Sequence, residues 1–212
     1  MLEKLKKAVC ENNKLLPKSG LVVMTSGNVS GRDQDTNLVV IKPSGVNYEK
    51  LQSKDMVVVD LDGNIVEGEL KPSVDTLSHL FIYRHRPDIF GVCHTHSTFA
   101  SVFAALGRSI PPFLTTSAML GGEIPIGDFI PVGEEKIGKE IVEKIGDKKA
   151  IIMKNHGVFT IGKNSYQATK LAVEVEEIAK ITYFALLLGK PSMLTDEQID
   201  LFRNIYDNVY GQ

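Results

Sequence analysis

The sequence predicts an α/β fold in which a mixed β-sheet lies between layers of helices. Short β-branched runs and helical segments with apolar residues at a spacing of three and four intermix along the whole chain. They do so without a regular strand–helix–strand order, which favours a mixed sheet over a purely parallel one. No linker, low-complexity segment or internal repeat interrupts the pattern. The 212 residues, 43% hydrophobic and 24% charged, therefore predict one globular domain over residues 1–212.

Each element follows from a local pattern. The predicted strands are short apolar or β-branched runs at residues 38–41, 56–59, 89–94, 124–126, 150–153 and 158–161. The predicted helices are residues 2–16, a segment that begins after residue 73, residues 97–106, 134–145 and 165–188, and a last helix that begins at residue 195. Ser73 and Thr195 are predicted N-caps, and Asp62-Gly63 is typical of a hairpin turn. Residues 25–35 form a polar stretch that contains glycine, and residues 25–30 within it are predicted to be a loop.

Composition and termini exclude several functional classes. The 24 basic and 26 acidic residues give a net charge of -2, and nucleic-acid binders usually carry a basic excess. The apolar runs are far below the ~20 residues that a membrane span needs. The N-terminal segment is rich in Lys and Glu and has no apolar core typical of a signal peptide. Cys10 and Cys93 are predicted to be reduced core residues, so we expect a cytoplasmic protein.

Three histidines indicate a metal site. His94 and His96 are two residues apart at the end of a predicted strand, so their side chains point to the same side of the sheet. His156 follows another predicted strand and precedes Gly157, which allows a close turn. Three imidazoles and an open position are typical of a catalytic zinc site, and Mn²⁺, Co²⁺ or Fe²⁺ are alternatives. His79 and His85 lie six apart on a predicted helix and are interpreted as structural.

Other polar residues have two interpretations. Asp75 lies in the predicted first turn of a helix, where a carboxylate stabilises the helix dipole; beside a metal it could instead be a ligand or a general base. The segments 25–30 and 42–45 contain hydroxyls, an amide, Lys42 and glycine-flanked N–H groups. Such groups can bind a phosphate, although ordinary turns contain the same residue types.

Together these segments resemble the class II aldolase/epimerase family, which has the adducin-like fold. The matching stretches are TSGNVSGRD, IKPSGVNYEKL, DMVVVD, EGELKPSVDT, RPDIFGVCHTHS, SIPP, KNHGVFTIGK and VYGQ. They follow the family's order from near the first helix to the last residue. HTHS, NHG and KPSVD in combination are specific to the family, although no one of them is specific alone.

The resemblance implies a three-layer α/β/α fold with a central mixed, largely antiparallel sheet. It implies one Zn²⁺ per subunit on His94, His96 and His156, with Asp75 as the catalytic acid/base. It also implies a homotetramer with active sites at subunit interfaces, where Tyr210 reaches the site of a neighbouring subunit. A phosphorylated ketose would be the substrate, and the residues implied to bind it are Thr25, Asn28, Lys42, Ser44, Gly45 and Ser73.

Departures from the family pattern favour one activity. Val74 replaces a second serine of the phosphate pocket. Asp75 stands where the aldolases have Glu, which is the epimerase choice, but residues 115–120 lack the second catalytic Asp of the epimerase. The sequence therefore predicts a metal-dependent aldolase that cleaves L-fuculose 1-phosphate to dihydroxyacetone phosphate and L-lactaldehyde. L-Ribulose-5-phosphate 4-epimerase is the alternative, supported by Asp75, Lys42 and the YGQ ending. A non-catalytic adducin-like binding module is the alternative of another class, although such modules lose the metal histidines.

Overall fold

A computed structural model describes residues 2–209 of the chain. Its strands are β1 (Asn28–Arg32), β2 (Val39–Ile41), β3 (Val57–Val59), β4 (Ile65–Glu67), β5 (Gly91–Thr95), β6 (Ile126–Gly127), β7 (Ala150–Met153) and β8 (Gly157–Gly162). Its α-helices are α1 (Glu3–Lys18), α2 (Thr76–His85), α3 (Thr98–Leu106), α4 (Lys136–Ile145), α5 (Ser165–Leu188) and α6 (Asp196–Asn208). Within residues 2–209, no helix is long and apolar enough to cross a membrane.

The strands form one eight-stranded sheet in the order β4-β3-β2-β1-β5-β8-β7-β6. Neighbouring strands are antiparallel except β6 and β7, which are parallel. The prediction of a mixed, largely antiparallel sheet is therefore confirmed. Strands β1, β5 and β8 lie side by side at its centre, where both faces can be covered.

Helices cover both faces, which gives the predicted three layers. Side chains alternate across a strand, so Val92 and Cys93 of β5 enter different cores. Val92 packs in a cluster with Leu80 of α2 and Ile141 of α4. Cys93 packs in the cluster that contains Val9 of α1 and Ala172 of α5. Cys10 and Cys93 are both buried and free, as predicted.

The predicted helices and strands are present, with boundaries shifted by a few residues. The Thr195 capping box is confirmed, because its hydroxyl accepts from Gln198 N–H and the Gln198 side chain accepts from Thr195 N–H. The Asp62-Gly63 turn joins β3 and β4, which pair antiparallel. The sheet also contains two strands outside the predicted runs, β1 and β4, although the Asp62-Gly63 turn indicated a strand at the position of β4.

The prediction of a loop over residues 25–30 is wrong from residue 28 onward, because residues 28–32 form a strand. These residues form the central strand β1, and all five are buried. Polar residues such as Asn28 and Ser30 tolerate this burial because side chains of α2 and its N-cap hydrogen-bond to them. Gly31 leaves room for α1, since a Cβ there would lie 3.0 Å from Leu5 and Val9 atoms. Tertiary contacts thus override a local sequence typical of a turn.

The prediction that Ser73 is the N-cap of α2 is also wrong. Helix α2 begins at Thr76, so Asp75 takes the N-cap position, and no side chain caps the helix. The Ser73 hydroxyl instead accepts a hydrogen bond from the Asn28 amide at 3.0 Å and a weak one from the Asp75 N–H at 3.3 Å. Asp75 therefore lies at the N-terminus of α2.

Candidate active site

The three histidines converge because β5 and β8 are antiparallel neighbours. His94 lies in β5, and His96 follows directly after the strand ends at Thr95. His156 lies in the tight turn between β7 and β8, whose Asn155 has a φ of 56°. Thr95 pairs with Val158 in the sheet, so the end of β5 and the turn before β8 meet at the same edge.

The imidazoles offer one ligand atom each within a small volume. These ring nitrogens all lie within 4.8 Å of one another, and the Nε2 atoms of His94 and His96 are 2.9 Å apart. Two nitrogens bound at ~2.0–2.1 Å in a tetrahedral zinc site would be about 3.4 Å apart. The observed spacing therefore matches a shared ion within a few tenths of an ångström for this pair.

The protonation states also fit a metal. Burial lowers the pKa of His94 to about 3 and lowers the pKa values of His96 and His156, so all three are neutral at pH 7. A neutral imidazole has a lone pair for a metal, and the His94 Nδ1 lies 3.0 Å from the Val158 carbonyl. A proton on Nδ1 donates to that carbonyl and leaves Nε2 as the ligand atom. The His156 Nδ1 is buried without a partner among the described residues.

Asp75 supplies the carboxylate that the sequence predicts for this site. Its side chain is buried, and its Oδ2 accepts a hydrogen bond of 2.7 Å from the Asn28 amide. Burial raises the pKa of Asp75, but its electrostatic interactions with His94 and His79 and the Asn28 hydrogen bond outweigh burial, so the net pKa lies below its ordinary value. Asp75 is therefore ionised at neutral pH and can accept a proton.

One cavity of about 330 Å³ brings together all the predicted site residues that the structure describes. The predicted metal ligands, Asp75 and every predicted phosphate-binding residue line it. Its lining residues are Thr25, Ser26, Gly27, Asn28, Lys42, Ser44, Gly45, Ser73, Val74, Asp75, His94, His96, Val132 and His156. Tyr210 lies outside the described residues.

Two glycines shape the phosphate-side loops. Gly27 has a φ of 74°, and a Cβ there would lie 2.5 Å from Val22 Cγ1 and 2.8 Å from the His94 carbonyl oxygen. Gly45 has a φ of 69° but open space around it. Such angles favour glycine, because it has no Cβ to clash with the backbone. Gly27 therefore allows the loop to pass directly over the strand that carries His94.

Lys42 is a buried cation at the wall of this cavity. Its Nζ donates to the carbonyls of Thr25 and Pro43 at 3.2 and 3.4 Å and lies 4.7 Å from the centre of the Tyr48 ring. Burial lowers the pKa of Lys42 to about 8, and the charge of Asp75 opposes that shift. Lys42 is still largely charged at pH 7, which suits an anionic ligand.

Sequence reasoning missed several residues of this region. Val132, in the loop between β6 and α4, lines the cavity but belongs to no recognisable motif. Ser30 and Tyr83 hydrogen-bond behind Asp75, and two spacings could have indicated them. Polar residues alternate along residues 28–32, and residues 75, 79 and 83 recur every four positions along α2.

Comparison with known families decides the relationship. The family described as Class II Aldolase and Adducin N-terminal domain matches residues 7–183. The chain belongs to this family. The resemblance noted from the sequence is thereby confirmed, and the class II aldolase family is metal-dependent, which agrees with the His94, His96 and His156 cluster.

Several solved structures superpose over most of the chain. An L-fuculose 1-phosphate aldolase is 30% identical with a TM-score of 0.92, and the match covers 96% of each chain. YgbL from Klebsiella pneumoniae is 25% identical with a TM-score of 0.85, covering 96% of this chain and all of that one. L-Fuculose-1-phosphate aldolase from Thermus thermophilus is 26% identical with a TM-score of 0.76, covering 89% of this chain and 98% of that one.

Proposed function

We propose that this chain is a zinc-dependent aldolase that cleaves a ketose 1-phosphate, with L-fuculose 1-phosphate as its substrate. The products would be dihydroxyacetone phosphate and L-lactaldehyde. The observation that carries the proposal is the single cavity in which three neutral imidazoles, an ionised carboxylate and two phosphate-type loops meet. The 30% identity to an L-fuculose 1-phosphate aldolase over 96% of both chains supports the choice of substrate.

The residues present divide the work of a retro-aldol cleavage. A divalent ion on the three histidines would polarise the substrate carbonyl and stabilise the charge that develops when the neighbouring carbon–carbon bond breaks. Asp75 takes the proton from the hydroxyl on the carbon that becomes the aldehyde, and the electron pair of the broken carbon–carbon bond stays on the ketone fragment. Asp75 then returns the proton to the carbon that holds this pair, which completes dihydroxyacetone phosphate and restores the carboxylate. Thr25, Ser44, Gly45 and Lys42 hold the phosphate at the other end of the cavity. Tyr210 is proposed to protonate or position the aldehyde oxygen.

One residue favours L-ribulose-5-phosphate 4-epimerase as a second candidate. Asp75, rather than Glu, is the acid in this site, and the sequence resemblance associates Asp with the epimerase. Epimerisation by rotation and re-addition of the aldehyde needs a proton-transfer group on each of its sides. Residues 115–120, which read TTSAML, offer no carboxylate for the second side. The aldolase therefore remains the first proposal.

A coupled assay of the zinc-loaded enzyme on both sugar phosphates tests the choice. Cleavage of L-fuculose 1-phosphate is followed through the dihydroxyacetone phosphate it releases, and L-ribulose 5-phosphate through the appearance of its 4-epimer. We expect cleavage only. Epimerisation without cleavage would establish the second candidate. A purified chain that holds no divalent ion and gains no activity when one is added would indicate a binding module instead.

Two further proposals concern assembly and location. The enzyme is proposed to be a homotetramer with active sites at subunit interfaces, since Tyr210 is expected to act in a neighbouring subunit. Light scattering coupled to size-exclusion chromatography measures the mass, and a monomer with full activity would contradict the proposal. The cytoplasm is the proposed location, in agreement with the two free, buried thiols Cys10 and Cys93.

A further inference from the structure

A ladder of polar side chains connects β1 to α2 behind the candidate active site. Asn28, Ser30 and Arg32 alternate along β1, so they point to the same face of the sheet. Asp75, His79 and Tyr83 recur every four residues at the start of and along α2, on one side of the helix. Two residues of strand rise about 6.6 Å and four residues of helix rise about 6.0 Å, so the two rows stay in step.

Each rung of the ladder is a buried hydrogen bond. The Asn28 amide donates to Asp75 at 2.7 Å. The Ser30 hydroxyl lies 2.7 Å from His79 Nδ1 and 2.8 Å from the Tyr83 hydroxyl. The Arg32 guanidinium donates to the Tyr83 carbonyl oxygen at 2.7 Å. Four polar residues, Ser30, His79, Asn28 and Asp75, are each at least nine-tenths buried here, which is costly unless their hydrogen bonds are made.

The direction of the hydroxyl protons follows from counting donors and acceptors. Among the described residues, the Tyr83 hydroxyl has the Ser30 hydroxyl, 2.8 Å away, as its hydrogen-bond partner. The Tyr83 proton therefore goes to Ser30, because no other acceptor for it is described. The Ser30 proton then goes to His79 Nδ1, so the His79 proton lies on Nε2.

This arrangement fixes a neutral His79 one helical turn after Asp75, whose backbone carbonyl accepts from the His79 backbone N–H at 3.1 Å. His79 is fully buried, and its Nε2 has no hydrogen-bond partner among the described residues. Burial lowers the pKa of His79 to about 4, and Asp75 is the charge that opposes this shift. His79 therefore presents a neutral N–H dipole, rather than a full charge or a lone pair, to the surroundings of Asp75.

We propose that His79 is a positioning residue for Asp75, held in its Nε2–H tautomer by the hydroxyls of Ser30 and Tyr83. Asn28 holds the Asp75 carboxylate through a direct hydrogen bond. His79 makes no hydrogen bond to it and stabilises its charged form electrostatically from the neighbouring turn of α2. His79 touches no substrate in this arrangement and transfers no proton. The inference rests on the proposed function insofar as Asp75 is the base of the reaction. It replaces the purely structural interpretation of His79.

The test removes single hydroxyls. The hydrogen bonds from Tyr83 to Ser30 and from Ser30 to His79 form a relay that fixes the His79 tautomer. Ser30→Ala and Tyr83→Phe each remove one hydroxyl of this relay, and neither residue lines the cavity. Thr160→Val is the matched control, because the Thr160 hydroxyl is equally buried and donates to the Ala168 carbonyl at 2.7 Å on the other face of the sheet. Each variant is loaded with zinc and measured for metal content, thermal unfolding, kcat and KM on L-fuculose 1-phosphate.

We expect kcat to fall about tenfold in Ser30→Ala and Tyr83→Phe, with zinc content and KM unchanged. The double variant should lose no more than the stronger single variant, because both hydroxyls act through one imidazole. Thr160→Val should lose thermal stability but keep kcat. If both relay variants keep kcat within twofold, or if Thr160→Val loses as much kcat as they do, the inference is wrong.

Nitrogen-15 NMR of histidine-labelled wild-type protein separates this inference from the proposed function. The His79 ring should show the Nε2–H tautomer, and Ser30→Ala should let the Nδ1–H tautomer appear. An Nδ1–H tautomer in the wild type would overturn the relay whatever the enzyme cleaves. If instead the tautomer is as expected but the wild type cleaves no ketose phosphate, the proposed function fails and the relay stands.

Discussion

The packing at Gly157 allows a test of the metal site that changes none of its ligands. Gly157 begins β8, directly after His156. A Cβ at this position would lie 2.4 Å from the Thr95 carbonyl oxygen, 3.1 Å from His96 Cδ2 and 3.3 Å from His94 Cε1. Gly157→Ala therefore pushes one methyl group against the strand end and the two imidazoles at once.

The magnitude follows from these distances. Real Cβ contacts are essentially never shorter than 3.0 Å. The backbones of Gly157 and Thr95 must therefore move apart by about 0.6 Å or more, and Thr95 lies between His94 and His96 in the chain. The obstacle is backbone, which cannot rotate away like a flexible side chain. Displacements of this order around metal ligands typically cost ~10–100-fold in metal affinity, and ~1 Å of misplacement can cost ~100-fold in rate.

The assay compares Gly157→Ala with Gly189→Ala. Gly189 follows α5, has extended backbone with a φ of 169°, and has no atom within 4 Å of its ideal Cβ. Zinc affinity is measured by competition with a chromophoric chelator, and cleavage by the coupled assay. We expect Gly157→Ala to bind zinc about 10–100-fold more weakly and to lose activity in parallel, while Gly189→Ala matches the wild type. Unchanged zinc affinity in folded Gly157→Ala would refute the assignment of the three histidines as one metal site.

The remaining predictions concern single functional groups. Asp75→Asn should keep zinc and lower kcat at least ~100-fold, which metal analysis and the cleavage assay check. His94→Ala should lose both zinc and activity. The charge of Lys42 is lost as pH rises through about 8, so the KM for L-fuculose 1-phosphate should rise over that pH range in the wild type. In Lys42→Met the KM should no longer change with pH in this range. Asn13→Leu removes three hydrogen bonds, including two to the Val29 backbone, and urea unfolding should show a loss of about 2–4 kcal/mol.

Two members of the histidine cluster could be predicted to lie together because their sequence signal is local. His94 and His96 share one strand end, and imidazoles have few uses in that arrangement. Placing His156 next to these two histidines required the further information that its turn lies beside the end of β5. This follows from the antiparallel pairing of β5 and β8, which periodicity alone does not reveal. The family resemblance supplied that missing step.

The role of β1 could not be predicted from local sequence. Residues 28–32 contain Asn, Ser, Gly and Arg, which favour turns over strands. They form a central strand because partners distant in sequence satisfy them: α2 and its N-cap contribute side chains 47 to 53 residues away in the chain, and α1 packs against Gly31. No window of neighbouring residues contains this information, since each hydrogen bond requires the helix to be in place.

The strand assignment of Asn28 changes how the cavity divides its charges. Both protons of the Asn28 amide are used, one on Ser73 and one on Asp75 Oδ2. Asn28 therefore holds the Asp75 carboxylate, and its predicted contact with phosphate would require one of these bonds to exchange. Val74 contributes no hydroxyl either, so we expect a bound phosphate to depend on Lys42 and on the loops around Gly27 and Gly45, which line the same cavity. Asn28 therefore separates the two ends of the candidate site. Its amide holds the Asp75 carboxylate at one end, away from the loops that are proposed to bind the phosphate at the other end.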